Sequence, residues 1–170
     1  GGRPGAGVGG WGSWGIGSNG LTLAREAVTR DHADTDPAPF DGHDTLGEAL
    51  LEPTRIYTDL LDPMRAHDVR AAAHVTGGGW TNLTRLGTHR YVVEDPFDAQ
   101  PIFEFVQRAG SVSDEEMHRT FNTGTGFVAA AAPADAEALA AETSGRVIGH
   151  VESTSETDGS VAIRDRPVRL

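Results

Sequence analysis

The sequence predicts a layered α/β or α+β domain, because strand-sized apolar runs alternate along the chain with segments of helical periodicity. A length of 170 residues is enough for one domain with its own core. The hydrophobic content of 38% is typical of a soluble globular protein, and no apolar stretch approaches the length of a membrane span.

We expect the ordered domain to cover residues 18–164, after a mobile or truncated leader (1–17) and before a frayed tail (165–170). The leader contains a G-x-G-x-x-G spacing, but no strand precedes it and no apolar-periodic helix follows at once, so we reject a dinucleotide fingerprint. Helical periodicity and capping residues predict helices over residues 21–28, 45–51, 60–67, 102–109, 113–119 and 133–142. Strands are predicted over residues 69–75, 89–93, 126–132, 147–152 and 161–163.

The strand at 69–75 is rich in alanine, which predicts that it is buried on both faces of the sheet. His74 lies within it and is interpreted as a core histidine. The seven histidines show no H-x-x-x-H or H-E-x-x-H spacing, so the sequence predicts no zinc site and no other metal site.

The formal net charge of −11 disfavours binding to nucleic acid or to anionic membranes. All fourteen basic residues are arginine, so catalysis by lysine is excluded and a phosphate must be held by arginine, backbone N–H groups or a metal. Many carboxylates together with arginine in place of lysine suggest a halophilic source, although GC-rich coding alone would also favour arginine over lysine. There is no cysteine, which excludes disulfides and thiolate chemistry.

A loop of consecutive glycines follows the alanine-rich strand and is a candidate phosphate site. Thr76 precedes Gly77, Gly78 and Gly79, and a short helical turn through Asn82 comes next. Successive N–H groups without side chains can converge on an anion, and the helical turn adds a favourable dipole. The alternative is a tight turn in which only glycine fits.

A second candidate segment joins a helix to a strand over residues 119–126. Arg119 offers a planar fork for a carboxylate or phosphate, and Asn122 can donate and accept at once. Gly124 and Gly126 allow close approach of the backbone. Here too a capped loop with Arg119 in a structural ion pair is the alternative.

Two shorter segments are weaker candidates. Glu52 and Arg55 flank a rigid proline near a strand entrance, where they could also simply pair with each other or with a neighbour. Ser18 and Asn19 precede the first predicted helix, and either can cap it.

In order and spacing these segments resemble the aminoimidazole ribonucleotide synthetases, also called phosphoribosylformylglycinamidine cyclo-ligases. The resemblance covers residues 18–163 and rests on six motifs: E-P-T-R-I-Y at 52–57, A-H-V-T-G-G-G at 73–79 with Asn82 after it, P-I-F at 101–103, G-S-V at 110–112, E-M-H-R-T-F-N at 116–122 followed by G-x-G, and I-G at 148–149. His118 stands where the family has tyrosine. Gly17 stands where the family has histidine, and Trp14 where a serine is common.

The resemblance implies the C-terminal domain of such an enzyme, with a mixed β-sheet flanked by helices. It also implies a cytoplasmic enzyme that closes the ring of formylglycinamidine ribonucleotide with ATP and Mg²⁺, both bound mostly by an N-terminal half that this chain lacks. In the complete enzyme it implies a homodimer. Arg119 and Asn122 are then expected to be catalytic, and the remaining candidates to hold or order the substrate: Ser18, Asn19, Glu52, Arg55, Thr76, Gly77, Gly78, Gly79, Asn82 and Thr120.

Other interpretations remain open at this stage. Selenophosphate synthetases, thiamine monophosphate kinases, a hydrogenase-maturation dehydratase and formylglycinamidine synthetase share the implied architecture. A truncated, non-catalytic ligand-binding domain is a further alternative.

Overall fold

A computed structural model describes residues 2–18, 20–155, 157–164 and 166–168 of the chain. In these ranges seven strands form one mixed sheet in the order β2-β4-β1-β5-β3-β6-β7, which confirms the predicted fold class. All neighbouring strands pair antiparallel except β3 and β6, which are parallel. The strands are β1 Gly7–Gly12, β2 Val69–His74, β3 Arg90–Val93, β4 Thr125–Ala131, β5 Arg146–Glu152, β6 Ser160–Ile163 and β7 Arg166–Val168.

The helices largely confirm the sequence periodicity. They are α1 Leu21–Thr29, α2 Leu46–Leu50, α3 Leu61–Ala66, α4 Pro101–Gly110, α5 Asp114–Thr120 and α6 Pro133–Glu142, with 3-10 helices at Thr58–Leu60 and Gly79–Leu86. Proline occupies the first position of both α4 and α6, where its missing N–H costs nothing. In the described ranges no helix is long and apolar enough to cross a membrane.

The sheet is covered on both faces because successive residues of a strand point to opposite sides. Ala129 of β4 packs with Leu139 of α6 on one face. Val128 and Ala130 face the other cluster, which contains Trp80 of the 3-10 helix Gly79–Leu86. A third apolar cluster joins α1, α2, α4 and α5 and lies beside the sheet.

The predicted mobile leader is wrong for residues 7–12, which form the central strand β1 between β4 and β5. Glycine has a low strand propensity and carries no alternating side chains, so the usual strand signal is missing. The glycines here permit close packing. A Cβ at Gly7 would lie 2.9 Å from the Ala136 Cβ, and one at Gly10 would lie 2.7 Å from the Ile148 Cδ1.

The predictions that β2 is covered on both faces and that the tail is frayed are also wrong. The alanine-rich β2 is an edge strand that pairs only with β4 among the described strands, and its residues alternate between half-buried and exposed. The alanines therefore belong to a strand at the edge of the sheet, and not to a central strand covered on both faces. In the predicted frayed tail, Arg166–Val168 pairs with β6 as β7, while residues 165, 169 and 170 lie outside the described ranges.

The two tryptophans near the start of the chain test whether this region belongs to the core. Trp11 is fully buried, and its Nε1 donates to the Thr143 Oγ1 at 2.9 Å, whereas Trp14 is largely exposed. We expect Trp11→Ala to lower the free energy of unfolding by about 3–5 kcal/mol. The matched Trp14→Ala should change it by less than about 0.5 kcal/mol. Urea denaturation measures both, and equal small effects would mean that residues 7–12 are not part of the folded core.

Candidate functional site

The candidate site lies at one edge of the sheet. Strands β1 and β2 both run antiparallel to β4, so their carboxyl ends, at Gly12 and His74, meet the amino end of β4 at Thr125. The loops that leave these three strand ends enclose a cleft. Its lining residues are Ser13, Trp14, Gly15, Ile16, Gly17, Ser18, Thr54, Arg55, Tyr57, His74, Val75, Thr76, Thr120, Asn122 and Gly126.

Asn122 is buried, and its side-chain amide joins the segments that build the cleft. Its Oδ1 accepts from the Ser13 Oγ at 2.7 Å and from the Gly124 N–H at 2.9 Å. Its Nδ2 donates to the Gly15 carbonyl at 2.9 Å. The hydrogen-bonding capacity of this side chain is therefore used inside the protein, and the structure gives Asn122 a role in shaping the cleft.

The glycine loop is held from below by Asn82. The Asn82 Nδ2 donates to the carbonyls of Gly77 and Gly79, at 2.9 and 3.0 Å. Gly78 and Gly79 have φ values of +91° and +51°, and a Cβ at Gly79 would collide with the His118 carbonyl of α5. Asn82 and Gly79 are both buried, so they support the exposed part of the loop at Gly77 and Gly78 and do not face solvent themselves.

A second, open depression adjoins the cleft, since Thr120 lines both. It is lined by Gly20, Gly77, Gly78, Thr81, Glu116, Arg119 and Thr120. Arg119 is exposed at the last turn of α5, and within the described part of the chain it makes no ion pair. The alternative in which Arg119 forms a structural ion pair is therefore not supported within the described residues. The Glu116 carboxylate accepts from the Thr120 Oγ1 at 2.6 Å.

Glu52 and Arg55 do not pair with each other, but the other alternative left open by the sequence, pairing with a neighbour, is confirmed, since Arg55 pairs with Asp59 at 3.4 Å. Glu52 binds His43, with 2.7 Å between Oε2 and Nε2. Arg55 donates to the Gly12 carbonyl at 3.2 Å and to the Ser144 Oγ at 2.9 Å. Arg55 thus lines the cleft and fastens it, while Glu52 anchors the segment from outside the cleft lining.

His74 is not the core histidine that the sequence suggested. It lies on the exposed face of edge strand β2, and its ring packs edge-on against Tyr57 and Phe127, with centroid distances of 5.1 and 5.4 Å. Partial burial lowers the pKa of His74 below its ordinary value, so the neutral imidazole predominates at pH 7. The signal that could have placed it correctly was its position beside the glycine loop.

Tyr57 is the buried member of this aromatic group. Its hydroxyl donates to the Gly12 carbonyl at 2.9 Å, and its ring stacks on Phe127. The Arg55 guanidinium lies 4.8 Å from its ring centroid. Burial raises the pKa of Tyr57 to about 12, against an opposing effect of Arg55.

The remaining predicted residues divide between the two recesses. Ser18 is exposed and Thr76 is half-buried, and both line the cleft, as Thr120 does. Asn19 lies outside the described residues, and α1 is preceded by Gly20 with no side-chain cap, so the predicted capping by Ser18 is wrong. Sequence reasoning did not name Ser13, Thr54, Tyr57, His74 and Thr81 as site residues. Thr54, Tyr57 and His74 lie inside the motifs at 52–57 and 73–79, whereas Ser13 and Thr81 carry no motif signal.

The arrangement is suited to an anionic ligand with a polar body. Within the described part of the chain, the N–H groups of Gly77 and Gly78 donate to no other residue, and Arg119 adds a positive charge beside them. The described residues contain no group of three or more His, Asp or Glu side chains that could hold a metal ion.

Gly79 allows a direct test of the glycine loop. Gly79→Ala forces an alanine into the left-handed region and into contact with α5, so we expect it to lower the free energy of unfolding by about 3 kcal/mol or more. Gly5→Ala is the matched control, because Gly5 has φ +83° and a methyl group added there would meet nothing within 4 Å. It should cost only about 1 kcal/mol. Equal costs in urea denaturation would contradict the close contact between the loop and α5.

The raised pKa of Tyr57 predicts a loss of stability at high pH. The folded protein keeps the Tyr57 proton up to about pH 12, whereas an unfolded chain releases it near 10.0. Between these values the folded state binds more protons, so the free energy of unfolding falls by up to about 2–3 kcal/mol.

Spectrophotometric titration of tyrosinate measures the raised pKa that causes this loss of stability, and the chain has only two tyrosines to distinguish. Burial also raises the pKa of the other tyrosine, Tyr91. Tyr57→Phe should remove the component near pH 12 and leave that of Tyr91. If the component that disappears titrates near pH 10, the Tyr57 hydroxyl is not buried.

Curated relatives of the chain share one name. It is 41% identical over 140 residues to the phosphoribosylformylglycinamidine cyclo-ligase of Methanosarcina acetivorans, a match that covers 82% of this chain and 42% of the relative. It is 42% identical over 156 residues to the enzyme of the same name from Methanopyrus kandleri, covering 88% of this chain and 45% of the relative. The chain thus spans less than half the length of these relatives.

Solved structures share the fold at low sequence identity. The hydrogenase maturation protein HypE superposes with a TM-score of 0.61 at 18% identity, covering 99% of this chain and 54% of that one. Thiamine-monophosphate kinase from Stenotrophomonas maltophilia superposes with a TM-score of 0.59 at 15% identity, covering 99% and 52%. These likenesses establish the architecture alone.

The family model for the C-terminal domain of AIR synthase related proteins matches residues 3–161, a range that includes the glycine-rich strand β1 as well as the cleft. With this match and relatives about 41% identical, the chain belongs to the AIR synthase related family and corresponds to its C-terminal domain.

Proposed function

We propose that the chain is the C-terminal part of an ATP-dependent cyclo-ligase that converts formylglycinamidine ribonucleotide to aminoimidazole ribonucleotide. The observation that carries the proposal is the combination of cyclo-ligase relatives with a lysine-free anion recess at Arg119, Gly77 and Gly78. A ribonucleotide substrate carries a phosphate, and this recess offers it a guanidinium and two backbone N–H groups.

The proposed reaction activates the formyl oxygen by phosphoryl transfer from ATP. An amidine nitrogen then attacks that carbon, the C–N bond forms, and phosphate leaves as the C–O bond breaks. Such chemistry depends mainly on positioning and charge stabilisation. In this chain Arg119 would bind the substrate phosphate, the cleft residues Ser18, Thr76 and Thr120 would hydrogen-bond the rest of the substrate, and Asn122 would keep the cleft in shape.

His74 supplies the cleft with a group that can move a proton. Ring closure releases one proton from the amidine nitrogen, and the neutral imidazole of His74 is able to accept it. Arg55 fixes the cleft wall through its bonds to Gly12, at the carboxyl end of β1, and to Ser144.

In this proposal an N-terminal part binds most of the ATP and Mg²⁺, and the isolated chain is inactive. We further propose a cytoplasmic, halophilic enzyme that is a homodimer when complete. The relatives are more than twice as long as the shared region, which supports the missing part, and the acidic, lysine-free composition supports the halophilic source.

The test is a cyclisation assay in molar KCl. The chain is mixed with the N-terminal part of the Methanosarcina acetivorans relative, formylglycinamidine ribonucleotide, ATP and Mg²⁺, and the aminoimidazole product is followed. Product formed only with both parts supports the proposal. If the intact relative is active at that salt and the mixture is not, and a direct fusion of the two parts is also inactive, the chain is a non-catalytic binding domain.

Arg119 is the residue whose role this assay measures most sharply. Removing a charge-assisted contact to phosphate costs about 1.5–3 kcal/mol, so Arg119→Ala should lower kcat/KM by about 10- to 100-fold, mainly through KM. Arg119→Lys should recover part of the loss. Arg108→Ala is the control, because Arg108 is also exposed, lies on α4 and pairs only with Glu104 among the described residues. If both alanine variants behave alike, Arg119 does not contact the substrate.

A further inference from the structure

The anion recess is built by two separate segments of the chain. Gly77 and Gly78 belong to the glycine loop, whereas Arg119 comes from the last turn of α5. A guanidinium and backbone N–H groups can bind the same phosphate only if the two segments keep a fixed relative position. The contacts that hold the glycine loop against the segment at 119–126 therefore decide the geometry of the recess.

Trp80 makes one of these contacts. It follows the glycine loop directly and is fully buried, and its Nε1 donates to the Thr123 Oγ1 at 2.9 Å. In the described part of the chain this is the one side-chain hydrogen bond that joins residues 76–86 to residues 113–126. The packing of Gly79 against the end of α5 brings the two segments together, and the hydrogen bond of Trp80 fixes how they lie.

On the loop side, the hydrogen bond is connected rigidly to the recess. The Asn82 Nδ2 donates to the carbonyls of Gly77 and Gly79. The glycine loop and the 3-10 helix that carries Trp80 are thereby held together as one unit. The position of Trp80 thus determines where the N–H groups of the loop stand.

On the other side, Thr123 is held in an unusual backbone conformation. Its φ of +44° lies in the left-handed region, which a β-branched residue rarely adopts. Strained residues of this kind persist only where their surroundings hold them in place. Trp80 binds the hydroxyl of Thr123, and the Asn122 Oδ1 accepts from the Gly124 N–H across it. Loss of the Trp80 N–H would let this backbone relax and shift Arg119, which precedes Thr123 by one helical turn, relative to the glycine loop.

We propose that Trp80 is a positioning residue for the substrate phosphate, because its hydrogen bond to Thr123 sets Arg119 against the glycine loop. This inference rests on the proposed function in one respect, namely that the recess binds the phosphate of a ribonucleotide. Trp80 is buried, so it touches no ligand and acts through Thr123.

The chain contains a matched control for this hydrogen bond. Trp11 is also fully buried, and its Nε1 donates to the Thr143 Oγ1 at the same distance of 2.9 Å. Thr143 lies at the end of α6 and outside the recess lining. Trp80→Phe and Trp11→Phe thus remove the same N–H group from a buried tryptophan. Both should lower the denaturation midpoint in urea, but only Trp80→Phe should change the recess.

The experiment measures the binding of ribose 5-phosphate to the chain by calorimetry, in the salt of the cyclisation assay and with ribose as the phosphate-free reference. We expect Trp80→Phe to raise the Kd by about 3- to 10-fold, and Trp11→Phe to change it less than about 2-fold. Thr123→Val keeps the side-chain shape but removes the acceptor, so it should match Trp80→Phe. Thr123→Ser keeps the hydroxyl and should stay within about 2-fold of the parent chain. Circular dichroism shows which variants are folded, and if Trp80→Phe is not, the two variants of Thr123 make the same test.

A coupling measurement separates positioning from a general effect on the fold. In the parent chain, Arg119→Ala should raise the Kd for ribose 5-phosphate by about 10-fold or more. In the chain that already carries Trp80→Phe, the same substitution should raise it less than about 3-fold, because a displaced guanidinium contributes less. A merely structural role of Trp80 would leave the effect of Arg119→Ala unchanged.

Each outcome decides the proposal. Equal effects of Trp80→Phe and Trp11→Phe on the Kd, or an undiminished effect of Arg119→Ala beside Trp80→Phe, would overturn the positioning role. So would a parent chain that binds ribose 5-phosphate no better than ribose, since the recess would then hold no phosphate. Binding that depends on Trp80, without product in the cyclisation assay, would leave the positioning role intact and refute the proposed function. Product formation with no effect of Trp80→Phe on binding would do the reverse.

Discussion

The buried amide of Asn122 is the interaction on which the candidate site depends. It binds the loop that leaves β1 through Ser13 and Gly15, and it binds the turn that enters β4 through Gly124. These are the strand ends that enclose the cleft. Leaving one of these buried groups unpaired costs about 1–3 kcal/mol, so the cleft keeps its shape only while the amide is in place. The folding of the sheet and the geometry of the site are therefore linked through one side chain.

The helices could be predicted from the sequence because their apolar faces and capping residues are local signals. Helix α6 has the predicted bounds, and at the start of α5 the Ser113 Oγ accepts from the Glu116 N–H as an N-cap. Strand β1 could not be predicted, since its glycines serve contacts with α6 and β5 that are remote in sequence. The edge position of β2 was also hidden, because alanine is compatible with a covered strand and with a half-exposed one.

The site shows the same division. Motif resemblance identified the cleft segments, and the structure brings Arg55, Thr76, Thr120 and Asn122 to one recess and Gly77, Gly78 and Arg119 to the next. The motifs could not distinguish residues that support the loop from residues that are exposed to a ligand. Asn82 and Gly79 lie beneath the loop and Glu52 lies outside the cleft lining. That distinction depends on which partners the fold supplies, and a pattern of residue types does not contain it.

Gly17 illustrates how a departure from the family pattern changes more than one side chain. Its φ of +71° is in the region that favours glycine, and a Cβ there would lie 3.1 Å from the Thr54 Oγ1. Restoring the family histidine at this position would force it into strained backbone, at a cost of about 1 kcal/mol or more. The loop at 13–17 is thus built around glycine, which lets it lie close to Thr54 in the cleft lining. Among the described residues that line the cleft, His74 is the one that carries an imidazole. It lies at the carboxyl end of β2, where its ring packs against Tyr57 and Phe127.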